Sequence, residues 1–199
     1  MIKLTNENYN DFIDLPFDSI RNKILDIIKE KKAKKIVDLC CGAGEQLTLL
    51  KENGYDNIIG IDISDHMLEI ANLGEDKPIC KKGDATNTDF KDNSFDVAII
   101  SFALHDKSLN SQKTLLKEAK RIVKKNMYII IVDYNFDKKT ERLGEVGVEL
   151  IEQAPNEHYE NYKKYIKKGG LDSLVKGKFI KIEEYYFYFN AVRCRVYKN

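Results

Sequence analysis

The chain has 199 residues, 43% of them hydrophobic and 33% charged, with 33 Lys and Arg against 32 Asp and Glu for a net charge of +1. That length accommodates one domain with a sizeable core, and the composition is that of a soluble globular protein. The charge balance excludes a global field that would draw the protein to nucleic acid or to an anionic membrane. No apolar run approaches the ~20 residues of a membrane span. The beginning, MIKLTNENYNDF, lacks the continuous apolar stretch of a secretory leader, so a cytoplasmic location is expected. Cys40, Cys41, Cys80 and Cys194 show no CxxC spacing. No zinc site is expected, and the cysteines read as buried thiols in a reducing compartment.

Strand-like and helix-like stretches alternate along the chain. Lys35–Leu39 predicts a first strand, and a helix begins over Glu45–Asn53. Asn57–Ile61 predicts the second strand. The helix SDHMLEIANL follows, with Ser64 as N-cap and Met67, Leu68 and Ala71 on one face. Pro78–Lys82 predicts a short third strand. The unbroken apolar run of SFDVAIISFAL suits a fourth strand buried on both faces. Gln112–Lys124 is an amphipathic helix, and MYIIIVDY is the fifth strand. This order predicts an α/β fold: a doubly wound parallel sheet with helices on both faces. Asn135–Val175 is mostly helical and interrupted by Gly144, Gly147, Pro155 and Gly169-Gly170, so it reads as a helical cap. In the final stretch Val192, Cys194 and Val196 alternate with Arg193, Arg195 and Tyr197. This predicts a terminal antiparallel hairpin turning near Asn190. No repeat or linker divides residues 1–199.

The first strand runs into Asp38-Leu39-Cys40-Cys41-Gly42-Ala43-Gly44, a glycine turn that lets a ligand approach the backbone closely. The third glycine of a dinucleotide fingerprint would fall at Leu47, so an NAD-binding oxidoreductase is disfavoured. Three aspartates follow successive strands. Asp38 can reach a cationic amino group, Asp62 can accept both hydroxyls of a ribose, and Asp84 can accept from an adenine amino group beside Ala85. No Lys or Arg stands in the turn to meet a pyrophosphate. The trio therefore suits a ligand with an amino group, a ribose and an adenine but no phosphate.

VDLCCGAGEQ, GIDISDHMLEIA, GDATNTDFKDNSFDVAIISFALHD and EAKRIVKKNMYIIIVDY together resemble the class I S-adenosylmethionine-dependent methyltransferases, more narrowly the ubiquinone/menaquinone biosynthesis branch. The resemblance implies a Rossmann-like, seven-stranded sheet whose last strand is antiparallel. It implies S-adenosylmethionine as cofactor and S-adenosylhomocysteine as product. Gly42 and Gly44 would border the methionine part, Asp62 would hold the ribose, and Met67 would flank the adenine, whose edge would meet Asp84. Asp38, Cys40, Ile63, Ala85 and Ser101 complete the expected cofactor-binding set. Two departures stand out: Cys40-Cys41 replaces a glycine-containing pair, and Lys124–Asn126 replaces the usual Lys-Pro-Gly-Gly turn.

An activated sulfonium methyl needs chiefly an aligned nucleophile and exclusion of water. His105, in SFALHD, is the expected catalytic group, as a base or as an orienter of substrate; otherwise it is a surface histidine capping a loop. Asp133 and Tyr134 are expected to face the same crevice, for substrate contact or a structural hydrogen bond. His158, Tyr159 and Tyr162 either line an acceptor site under a lid or form the core stripe of a helix. The expected acceptor is a small molecule, and the expected state a monomer or homodimer. An RNA or protein acceptor is the alternative, since Lys163, Lys164, Lys167 and Lys168 interleave with tyrosines, although neighbouring acids dilute that field. A non-catalytic, cofactor-binding regulatory domain is the remaining alternative.

Overall fold

The computed structural model describes residues 16–153 and 157–199. Helix α1 (Phe17–Glu30) leads into β1 (Ile36–Leu39), α2 (Glu45–Glu52), β2 (Ile58–Asp62), α3 (Asp65–Ala71) and β3 (Ile79–Lys82). Then come β4 (Phe95–Ser101), α4 (Leu109–Ile122) and β5 (Val123–Tyr134). Three cap helices, α5 (Arg142–Glu152), α6 (Glu157–Lys167) and α7 (Gly170–Val175), precede the hairpin of β6 (Ile180–Phe187) and β7 (Val192–Lys198). The seven strands form one sheet in the order β3-β2-β1-β4-β5-β7-β6. The pairs among the first five are parallel, whereas β7 runs antiparallel to β5 and β6. This is the expected sheet.

Order and burial follow from composition. β1 and nearly all of β4 are buried along their length, as a strand covered by helices on both faces requires. α4 buries Leu115, Leu116, Ala119 and Ile122 on one stripe. Chain order reverses on either side of β1, whose neighbours are β2 and β4. A crevice therefore opens beyond the carboxyl ends of these strands.

Several boundaries differ from expectation for local reasons. β4 stops at Ser101 because Phe102 turns left-handed (φ 49°), so the strand does not continue to Leu104. α4 ends at Ile122, and the stretch expected as a turn belongs to β5, with Asn126 left-handed (φ 64°). The hairpin turn takes three left-handed residues, Tyr188, Phe189 and Asn190. In β7 the alternation is chemical and not one of exposure, since Arg193 is 0% and Arg195 2% exposed. Their cationic ends are met by acids: Arg193 pairs with Asp137 at 2.9 Å, and Arg195 with Glu184 at 2.5 Å and Asp172 at 2.8 Å. Buried arginines persist where such partners meet their charge.

Candidate functional site

The crevice at the β1 switch point has a volume of about 1270 Å³. Its floor is the turn after β1. Cys40, Gly42 and Gly44 are all left-handed there, with φ of 68°, 53° and 75°. A left-handed non-glycine residue such as Cys40 is uncommon and clusters at functional sites. Gly44 caps α2, and a Cβ on it would stand 3.2 Å from both Ala71 Cβ and Cys80 Sγ. Conformation and space therefore both demand glycine.

The three strand-end aspartates all line this crevice. Asp38 is 3% exposed, and its Oδ1 has no partner among the described residues. Burial, reinforced by the charge of Asp62, pushes its carboxyl up to about 7. Such an unpaired buried oxygen is costly unless a cation or donor arrives. Asp62 accepts the Gly42 N–H on Oδ2 (2.8 Å) and the Ser64 N–H on Oδ1 (2.9 Å). Each oxygen keeps a lone pair for one further donor. Asp84 takes the Thr86 N–H and hydroxyl on Oδ1 (2.8 and 2.7 Å), leaving Oδ2 to a ligand, with the buried Ala85 beside it. Ile63 and Met67 are large apolar side chains left exposed at the rim. Ser64 caps α3 as expected, through the Met67 N–H. Ser101 and Cys40 also face this space. The expected cofactor set is thus brought together, Gly44 standing behind the turn as its support.

The expected substrate set divides. His105 is buried and does not line the crevice, which corrects the alternative of a surface histidine. Its Nδ1 lies 2.8 Å from Asp133 Oδ1, and its Nε2 lies 3.5 Å from Glu152 Oε1 on the cap. Burial alone would lower the imidazole's pKa, but Asp133, Glu152 and Asp106 outweigh it and raise the value. Asp133 is fully buried and its oxygens are committed. Oδ2 accepts the N–H groups of Leu104 (2.8 Å) and His105 (3.3 Å), and Oδ1 accepts that of Tyr134 (2.8 Å). Direct substrate contact by Asp133 is corrected accordingly: it fastens the loop after β4. Tyr134, buried as well, donates its hydroxyl to Glu152 (2.8 Å). Tyr162 is buried against both rings, with centroids 6.0 Å from Tyr134 and 6.4 Å from His105. Tyr159 stacks on Tyr162 and donates to Glu149. The core-stripe reading therefore holds for the tyrosines of α6, while His158 alone of the expected substrate residues reaches the crevice, its Nδ1 3.5 Å from Asp106 Oδ2.

Some crevice walls gave no signal in the sequence. Phe17 and Arg21 of α1 enter it, and Phe17 packs edge-on against Phe102 with centroids 5.4 Å apart. Lys107 enters from the loop that Gln112 fastens by donating to the carbonyls of Leu104 (2.9 Å) and Lys107 (2.8 Å). A buried glutamine on an apolar helix stripe was the available clue.

Residues 37–131 match the family described as methyltransferase domain. Over these residues the chain is similar to S-adenosylmethionine-dependent methyltransferases. These enzymes use S-adenosylmethionine, and a crevice with three strand-end aspartates and no Lys or Arg in its glycine turn fits it. Among relatives, a demethylmenaquinone methyltransferase of Thermotoga maritima is 31% identical over 57% of this chain and 49% of its own length. The chain thus spans about half the length of that enzyme. An uncharacterized protein of Methanocaldococcus jannaschii is 28% identical over 96% of this chain and 73% of its own. The fold matches the crystal structure of a methyltransferase from Archaeoglobus fulgidus with a TM-score of 0.62 at 19% identity, covering 96% of this chain and 98% of the other. No helix among the described residues is long and apolar enough to cross a membrane.

Proposed function

We propose that this protein methylates a small-molecule acceptor, as a single cytoplasmic domain. The observation that carries the reading is the unpaired buried oxygen of Asp38 beside a glycine turn that holds no cation. S-adenosylmethionine supplies, when bound, a methyl group already activated on a sulfonium. Asp38 would take the ammonium end of the methionine part over Gly42. Asp62 would receive the ribose hydroxyls on its two remaining lone pairs. Asp84 and Ala85 would meet the adenine edge, and Ile63 and Met67 would flank its faces. Ser101 and Cys40 would close the floor. These residues bind and orient; holding the reacting atoms in line can supply ~7–11 kcal/mol of the barrier.

The acceptor would enter between Phe17, Phe102 and the Asp106–His158 pair, all of which line the crevice. Two aromatic walls at that end favour an apolar or planar molecule. The demethylmenaquinone methyltransferase among the relatives supports a small acceptor. His105 acts in this reading as a positioning residue: it ties the β4–α4 loop to β5 through Asp133 and to the cap through Glu152. Where the acceptor must lose a proton, His158 and Asp106 are the titratable pair at that end of the crevice.

The test is incubation of the pure protein with S-adenosylmethionine labelled in its methyl group and a cell extract split by ultrafiltration. Label in the low-mass fraction is the expected result. Label confined to RNA or protein, with steep salt dependence, would replace the small-molecule acceptor with a polymer.

A further inference from the structure

The cysteines that depart from the family pattern have a structural partner. Cys41 leaves β1 with its N–H on the Ile61 carbonyl (3.1 Å), which carries the side chain over β2. A Cβ on Gly60 would stand 2.5 Å from Cys41 Sγ. Gly60 is the register partner of Cys80 on β3, and a Cβ on Gly44 would stand 3.2 Å from Cys80 Sγ. The two glycines thus leave the space into which both sulfurs project. Access is unequal. Cys41 is partly exposed and lines the crevice, whereas Cys80 is buried behind it.

We infer that Cys41 and Cys80 form a reversible disulfide, taken from a small disulfide oxidant such as oxidised glutathione, that disables the cofactor crevice. The second half of the inference rests on the cofactor site proposed above. The Cys41 thiolate attacks one sulfur of the oxidant and expels one glutathione thiolate, giving a mixed disulfide. The Cys80 thiolate then attacks Cys41 Sγ and expels the second glutathione. One S–S bond forms in the protein and one breaks in the oxidant. Two electrons and the two thiol protons pass to two molecules of reduced glutathione. Coupling within the pair holds the Cys80 thiol below its usual range and the Cys41 thiol above it, so the first attack is the slow step and the second the fast one.

Closing the thiol pair to a disulfide of ~2.05 Å draws the two sulfurs into covalent contact. The Gly44 turn rests on Cys80 Sγ, and Gly42 is held by Asp62. The movement is therefore delivered to the floor of the crevice. Reciprocity requires that a ligand preferring the reduced turn should also oppose the disulfide.

The test treats the purified full chain with oxidised glutathione, maps its peptides by mass spectrometry under thiol blocking, and titrates S-adenosylhomocysteine by calorimetry. The expected result is a Cys41–Cys80 linked peptide and a loss of affinity of about tenfold or more, within the usual range of coupling, reversed by dithiothreitol. Cys80→Ser should stop at the Cys41–glutathione mixed disulfide and yield no linked peptide. In the native chain, saturating S-adenosylhomocysteine should slow the cross-link, a readout that does not depend on that variant folding. A Cys40–Cys41 link, or no link, overturns the pair. The linked peptide with unchanged affinity overturns the coupling. Absence of binding to the reduced protein would count against the cofactor site instead, while the peptide map would still decide the pair.

Discussion

Two acidic regions of the molecule behave in opposite ways. At the strand-end crevice, Asp38, Asp62 and Asp84 keep acceptor capacity that the protein does not use. Beneath the cap, Asp133 and Glu152 are met by an imidazole, a phenol and three backbone N–H groups. The first arrangement waits for a ligand; the second holds a loop and a helix in register. Spare hydrogen-bonding capacity, more than the presence of acids, separates a binding surface from a structural tie.

The largest expected effect breaks the tie. Asp133→Ala leaves His105 and three N–H groups buried without their acceptor, and should cost about 3–5 kcal/mol of stability. Urea unfolding measures it; a loss under 1 kcal/mol would show that the cluster is not a structural tie. On the crevice side, Asp62→Ala should weaken S-adenosylhomocysteine binding by ~1.5–3 kcal/mol through lost ribose contacts. Calorimetry showing unchanged affinity would mean that the ribose lies elsewhere.

The two regions should also differ in pH response. Asp38, whose carboxyl is pushed from 3.8 to about 7, holds its proton in the free fold where the unfolded chain has released it. Stability of the free protein therefore falls as pH rises between those values. Binding of an ammonium group should strengthen as pH rises through about 7, and Asp38→Asn should flatten that profile. His105 has the same sign in a higher window. Its raised pKa gives a contribution fully present below the ordinary imidazole value of 6.5, lost as pH climbs through the folded value. His105→Gln should remove that slope in unfolding titrations without moving the binding profile near pH 7. The smallest effect concerns the exposed His158. Its pairing with Asp106 should contribute no more than ~0.5 kcal/mol, so His158→Ala should leave stability almost unchanged. A large shift in melting temperature would place it in the structural tie.

The pattern of legibility follows the same division. The sheet, the glycine turn and the three aspartates were readable because strand ends, turn glycines and a parallel sheet fix where side chains emerge. Phe102 ended β4 early through a left-handed turn that an apolar run conceals. Arg193 and Arg195 looked like the outer face of a strand, yet long-range acids bury them. His105 carried the local signature of a crevice group, but its surroundings come from β5 and α5, 28 and 47 residues further along the chain. Alternation and spacing report local geometry; they do not report which distant charge will arrive.

The most direct measurement is calorimetric titration of the reduced protein with S-adenosylmethionine, S-adenosylhomocysteine and NAD, repeated on Asp38→Asn. The account predicts binding of the first two, none of NAD, and weakened binding to the variant. Binding of NAD alone, or wild-type affinity in Asp38→Asn, would contradict the assignment of the buried oxygen at the centre of the crevice.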